Sequence, residues 1–279
     1  MMAEAGALVR SRLAGLGRLD DCDIGLAEAA LLLAALDHPR AAIDGYLAYI
    51  AELADEVRVA AAGADDSVHL ATALFEVIGR RHRFRGDDRD DDDVANANLM
   101  DVIDHRRGVA DALGLLTLEV ARRAGLIAEG LAFPPHFLLR IADAQGQRII
   151  LDPFGGGRAL GPPDLRAMLK AAAGMAAELE PVHYAPLGNR ALLVRLQTDV
   201  KMRLLRCGRI DRALGVVEST LLFAPDIAPL WREAGLMHMR LDNPGGAVAA
   251  LEQFVARTPN AQARARTLSL LAELKGRPH

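Results

Sequence analysis

Aromatic side chains are scarce in this chain, at 4% of 279 residues. Ala and Leu fill the apolar quota of 51% instead, and both favour helices because they lose little side-chain freedom there. Cysteine is nearly absent. Cys22 and Cys207 are far apart and belong to no Cys-x-x-Cys or Cys/His cluster, which excludes a disulfide framework and a zinc site. That usage points to the cytoplasm, with each thiol expected as a small buried hydrophobe. The sequence lacks any charge-free apolar run of about 18 residues, so no membrane span is expected. Its N-terminus lacks the apolar stretch of a signal peptide and reads as a first helix. Excess positive charge is also missing. A net charge of -4 and a pI near 6.1 remove the basic face that a nucleic-acid binder needs. With 25% charged residues the composition is that of a chain that folds, and its length fits two modest domains.

What is present is mostly helical periodicity. Residues 24–36 form the most apolar helix, with Asp23 as candidate N-cap and Pro39 just past the end. Ile43, Leu47, Ile50, Leu53 and Val57 lie on one stripe and predict a second helix to about Ala61. After a cap in the run 64–66, Val68, Ala71, Leu74, Phe75 and Ile78 define a third. Residues 80–93 then break the pattern with four arginines and one histidine followed by six aspartates. A calcium loop of the EF-hand type starting at Asp88 would need Gly where Asp93 stands and Glu where Leu99 stands, so it fails on both counts. The run reads as a solvated connection, with a weak divalent-ion site at 87–93 left open. No metal and no cofactor is expected.

Helical signals resume over 96–107 and 109–124, with Gly125 as C-cap. The period then changes. Two short strands are predicted at roughly 136–142 and 147–152 around an Asp-Ala-Gln-Gly-Gln turn, which makes an α+β domain. Gly155-Gly156-Gly157 reads as a turn, since no Gly-Lys-Ser/Thr follows to make a phosphate loop. Asp164 is placed as the cap of a helix over 165–178, and the first domain closes near 186.

The tail repeats. Ala213 and Pro225 recur as Ala247 and Pro259, both 34 residues on, the period of tetratricopeptide repeats. Trp231, Ala234, Gly235, His238, Ala247, Phe254 and Pro259 follow that repeat's pattern of small residues at helix crossings and large ones in the layer. A helix over 261–275 would cap the stack.

Four stretches carry a resemblance. They are NANLMDVIDHRRG (96–108), LEVARRAG (118–125), FPPHFLLR (133–140) and ILDPFGGGR (150–158). In this order and spacing they resemble the transglutaminase-like core in the bacterial branch that carries tetratricopeptide repeats, the SirB type. The resemblance covers nearly the whole chain. It implies a papain-like core with N-terminal helices over 1–186, followed by the helical repeat array over 187–279.

It also implies a site. In active members of the fold a Cys at the start of a core helix attacks an acyl group, a His on the next strand is its base, and an Asp on the following strand orients the imidazole. A thiol needs such a base, and a His needs its tautomer fixed. His136 matches the His and Asp152 the Asp, both expected on strands. The family's helix usually opens Gly-Ile-Pro-Ile-Ser-Leu; here Gly108-Val-Ala-Asp-Ala-Leu113 puts Ala112 at the nucleophile position, and alanine has no nucleophile. Asp111 is adjacent but turned about 100° around the helix. The expected groove takes in Asn96, Asp111, Arg140 and Arg158, the arginines being able to pair a carboxylate.

The resulting expectation is a catalytically degenerate domain, its triad a relic, that binds a protein or peptide with help from the concave repeats and acts as an adaptor or regulator. Enzymatic activity is left open, with Ala112 weighing against it. The alternative is a hydrolase or acyltransferase that uses His136 and Asp152 with water or a displaced nucleophile. Neither nucleic acid nor membrane is an expected partner.

Overall fold

A computed structural model describes residues 2–87, 93–134 and 136–276. The expected weak ion site falls largely on 88–92, outside the described residues. The chain opens with helices α1 (Met2–Leu16), α2 (Leu26–Ala35), α3 (Ile43–Ala60) and α4 (Ser67–Phe75). A short strand β1 (Arg85–Gly86), helix α5 (Leu99–His105), strand β2 (Arg107–Gly108) and helix α6 (Ala110–Arg123) follow. Strands β3 (Ile127–Leu131), β4 (Leu138–Ala142), β5 (Arg148–Asp152) and β6 (Arg158–Leu160) precede α7 (Pro162–Ala173). The tail is α8 (Asn189–Arg206), α9 (Ile210–Phe223), α10 (Ala228–Arg240), α11 (Pro244–Arg257) and α12 (Ala261–Gly276).

The amphipathic stripe of α3 behaves as its spacing demands: Ile50, Leu53 and Val57 are buried, with Ile43 and Leu47 packed at the margin. Asp66 caps α4 by accepting the His69 N–H at 2.8 Å. The third apolar stretch does not stay α-helical. Beyond Phe75 the coil widens into a π-helical turn over Glu76–Arg81, which keeps Val77 and Ile78 buried, whereas Val68 points to solvent. Two caps differ from expectation. Asp23 lies in a 3₁₀ turn, and Gly25 is the N-cap of α2. Asp164 sits inside the first turn of α7, where its carboxylate accepts the Gly161 N–H at 2.9 Å; Pro162 and Pro163 start the helix because its first turn needs no N–H there.

Four strands form one antiparallel meander in the order β3-β4-β5-β6, two more than the sequence pattern shows. Its central hairpin is the one around the expected turn, with Arg140 opposite Ile150 and Ala142 opposite Arg148. Asp143 organises that turn by accepting the Gln145 and Gln147 N–H groups at 3.1 and 2.8 Å, and its other oxygen takes the Ser67 N–H at 3.1 Å, which fastens the hairpin to α4. Glycine is required at the close approach of sheet and helix: a Cβ on Gly114 of α6 would lie 2.1 Å from the Phe137 ring, itself 1% exposed.

The main hydrophobic core runs without a break from Leu13 of α1 to Ala250 of α11, so helices before and after residue 186 share it. A smaller cluster of Leu131, Phe133, Leu138, Leu160, Leu165 and Leu169 lies between the sheet and α7. α1 packs on α9 so closely that a Cβ on Gly17 would lie 2.6 Å from the Leu222 carbonyl oxygen.

A polar junction fixes the start of α8. Asp21 accepts the N–H groups of Asn189 and Arg190, each at 2.8 Å. Asn189 donates to the Ile24 carbonyl at 2.9 Å and accepts from Arg122 at 2.7 Å. The Arg190 guanidinium donates to the carbonyls of Leu19 at 2.7 Å, Leu16 at 3.4 Å and Phe223. This junction explains one failed expectation. Cys22 lies between Asp21 and Asp23 in the turn that serves it and is exposed, and Cys207 is exposed at the end of α8. Neither is the buried hydrophobe that residue type alone suggests.

The tail folds as antiparallel helix pairs, α8 with α9 and α10 with α11, and α12 closes the stack. Gly235 lets α10 meet α11, since a Cβ there would lie 2.6 Å from Leu251. Trp231 donates from Nε1 to the Pro225 carbonyl at 2.8 Å, and the Arg257 guanidinium lies over its ring at 5.2 Å.

Candidate active site

The candidate site is assembled at the N-terminal end of α6. β2 pairs in parallel with β1, Gly108 opposite Gly86, and the Val109 N–H donates to the Asn96 carbonyl at 2.8 Å. These bonds aim the first turn of α6 toward the sheet, with Phe137 wedged against Gly114. Ala112 stands in that turn and is 0% exposed. Its methyl group supplies neither a proton donor nor a nucleophile.

His136 and Asp152 do come together. The imidazole Nε2 lies 3.4 Å from Asp152 Oδ1, and the ring meets Phe154 edge-on with centroids 5.3 Å apart. His136 is not on a strand, however. It precedes β4 by two residues. Asp152 ends β5, opposite Arg158. The contact is an ion-pair distance without hydrogen-bond alignment, and Oδ1 is buried with no aligned donor among the described residues. The second oxygen lies against Gly155, where a Cβ would come within 2.6 Å. Burial works against the Asp152 charge. The His136 contact and the Gly155 and Phe154 backbone N–H groups outweigh it, and the carboxyl is held below its ordinary range.

Asp111 is engaged by a residue the sequence reading missed. Arg195, from the middle of α8, donates from Nε to Asp111 Oδ1 at 2.7 Å and from Nη1 to the Phe133 carbonyl at 3.0 Å. It thereby ties α8 to the first turn of α6 and to the loop that carries His136. Burial pushes the Asp111 carboxyl up; Arg195 and, at longer range, His136 pull it part of the way back. No spacing rule flags Arg195, because it is 84 residues from its partner.

The other expected groove residues scatter. Arg140 is saturated by Glu129, with Nε at 2.7 Å and Nη2 at 2.5 Å from Oε2, and its third contact is the Tyr184 carbonyl at 3.4 Å. Arg158 is exposed and lies 3.7 Å from Asp164 at the start of α7. Asn96 contributes its backbone carbonyl. The side chain that acts there is Asn98, which caps α5 through the Met100 N–H at 3.0 Å and donates to the Ala34 carbonyl at 3.2 Å.

A His–Asp pair on the sheet side, facing the first turn of a core helix, is the layout on which the sequence motifs converge. The sequence profile of the transglutaminase-like superfamily matches residues 44–198, more than half of the chain. The chain belongs to the transglutaminase-like superfamily. A tetratricopeptide-repeat profile follows over 200–272. Among named relatives, the UPF0162 protein of Xylella fastidiosa (strain Temecula1) is 28% identical, over 88% of each chain. Protein SirB1 of Salmonella typhimurium is 29% identical over 57% of this chain and 58% of its own. The UPF0162 protein YchA of Escherichia coli K12 is 30% identical over 58% of this chain and 60% of its own. The transglutaminase-like profile match ends within α8, the helix that carries Arg195. No described helix is long and apolar enough to cross a membrane.

Proposed function

We propose that this protein is a catalytically silent member of the superfamily that works as an adaptor or regulator by binding a protein or peptide. The observation that carries this reading is Ala112. At the position where the family's chemistry needs an activated side chain, the chain offers a fully buried methyl group. His136 and Asp152 remain as the relic of a triad, and Arg195 braces the loop beside them instead of leaving that wall free to move. The repeat region supplies a recognition surface: α10, α11 and α12 enclose a cleft of about 590 Å³ lined by Arg232, Leu236, Phe254 and Arg266. Interaction is the usual work of tetratricopeptide arrays, whose stacked inner helices present a continuous groove.

One observation favours the rival reading, a hydrolase or acyltransferase. His136 keeps 26% of its side chain exposed, and with Nε2 turned to Asp152 the other ring nitrogen is left for a reacting proton. Amine incorporation into a glutamine peptide, and hydrolysis of an activated ester, separate the two. For an adaptor, His136→Ala leaves both at the uncatalysed level. For an enzyme, the same change removes a factor of about 100 to 10,000, the usual worth of a general base, and such a drop would sink the proposal. Binding is read from peptides selected by display on the intact protein. Arg232→Ala in the repeat cleft should weaken them about 10-fold, and peptides indifferent to that change would remove the repeats from the proposed role.

A further inference from the structure

A cavity of about 200 Å³ lies between α2, the segment 94–99, α8 and α9, where the transglutaminase-like core meets the first repeat pair. It shares no lining residue with the His136–Asp152 site. Its walls are mainly apolar, including Leu33, Val200 and Gly215. Its polar lining groups are mostly occupied: Asn98 caps α5, Ser219 donates to the Val216 carbonyl at 2.9 Å, and Arg212 pairs with Asp37 at 3.0 Å.

Gln197 is different. It is 8% exposed and lines the cavity from α8, yet its amide has no hydrogen-bond partner among the described residues. Its amide atoms are not among the fully buried unpartnered ones, so they keep access to the cavity space and to water. An accessible, unpaired amide on otherwise mainly apolar walls can hydrogen-bond the head group of a ligand whose body fills the cavity. The exposed Arg10 stands at the rim and adds positive charge.

We infer that this cavity is a binding site for a small amphipathic acid: a medium-chain fatty acid, or an aromatic acid of similar bulk. Size supports the class. A dry cavity of about 150 Å³ lined by Leu, Ile and Phe holds a benzene molecule, so about 200 Å³ suits a body of roughly eight carbons. Chemistry supports it as well. The Gln197 amide N–H can donate to a carboxylate head, and the Arg10 guanidinium supplies the counter-charge. The site also has a mechanical address. Gln197 follows Arg195 by two positions and so projects from the opposite side of α8. Ligand on one side and the brace to Asp111 on the other are held by the same turn of helix.

The test is titration of the full chain with octanoate, with acetate as the head-group control, followed by calorimetry and by thermal unfolding. Octanoate should bind saturably and raise Tm with concentration, as a ligand of the folded state must, while acetate does neither. Gln197→Leu should weaken octanoate at least 10-fold. Gly215→Leu should abolish binding by filling the space, since a Cβ at that position meets no atom within 4 Å and α9 can accept it. A third readout needs no variant: Overhauser contacts from octanoate methylenes to the Val200 and Leu33 methyl groups. Absence of saturable binding to the unsubstituted protein overturns the inference, and so does affinity unchanged by Gly215→Leu or contacts mapping elsewhere.

Discussion

The two ends of α6 are built from similar residues and treated very differently. At its C-terminal end Arg122 reaches Asn189, Asn189 reaches Ile24, and Asp21 and Arg190 complete a junction in which each of these side chains is matched by a donor or acceptor. At its N-terminal end Asp111 and Arg195 are matched, but Asp152 keeps a buried oxygen without an aligned donor and His136 stands 3.4 Å away at a poor angle. A polar network that only holds helices together closes, because each open valence in a low-dielectric interior costs stability. At the His136–Asp152 end one carboxylate oxygen stays open. The contrast sets a closed junction at one end of the helix against an incompletely paired one at the other.

The closed end should be the more costly to break. Arg190→Ala strands three carbonyl acceptors between α1, α8 and α9 and should lower the unfolding free energy by about 3 kcal/mol, measured by urea denaturation. A loss below about 1 kcal/mol would mean that the junction adds little beyond apolar packing. Gly114→Ala comes next. The added methyl meets the Phe137 ring in a packed core, an overpacking cost of about 1–3 kcal/mol only partly offset by the better helix propensity. The same change should shift the His136 ring resonances, because Phe137 is its chain neighbour. Unshifted resonances would uncouple the wedge from the site.

Two smaller effects concern acid stability and run in opposite directions. The Asp152 carboxyl is held below its ordinary range in the folded protein. Its contribution is therefore complete above the unfolded carboxylate value of about 3.9 and is lost as pH falls through the lowered folded value. Asp152→Asn should cost about 1 kcal/mol near neutrality, with the gap to the unsubstituted protein closing in acid. Asp111 is pushed up by burial, so its contribution is present in acid and lost as pH rises through the raised folded value. The stability of the unsubstituted protein relative to Asp111→Asn should fall across that rise. Parallel pH profiles for the two variants would contradict the contrast between these carboxyls.

Much of the architecture was legible in the sequence because it rests on local rules. The α3 stripe, the Asp66 cap, the Asp143 turn and the Gly125 stop, whose φ is +89°, follow from periodicity and turn chemistry. Two strands were not legible. β3 reads Ile-Ala-Glu-Gly-Leu, where Glu and Gly dilute the alternation, and β6 has three residues. Of the site, the motif spacing identified His136 and Asp152 as neighbours. Their setting was missed: the His lies two residues before its strand, and Glu129, opposite Arg140 on β3, consumed the arginine expected in the groove. Arg195 and Gln197 carry no local signature, because their partners are set by how α8 packs on a core made much earlier in the chain.

The contact of α1 with α9 also places a demand on synthesis. α1 is made well before one of its two packing partners, residues 210–223, about 200 positions later. At roughly 5–20 residues per second the side of α1 that meets α9 waits on the order of 10–40 s for its partner, while α2, made next, covers another side. Folding from the N-terminus cannot finish piecemeal, since pairings of such sequence separation form late. The α9-facing side of α1 therefore stays unpaired through much of the chain's synthesis, and yield should depend on chaperone supply more than the modest size suggests.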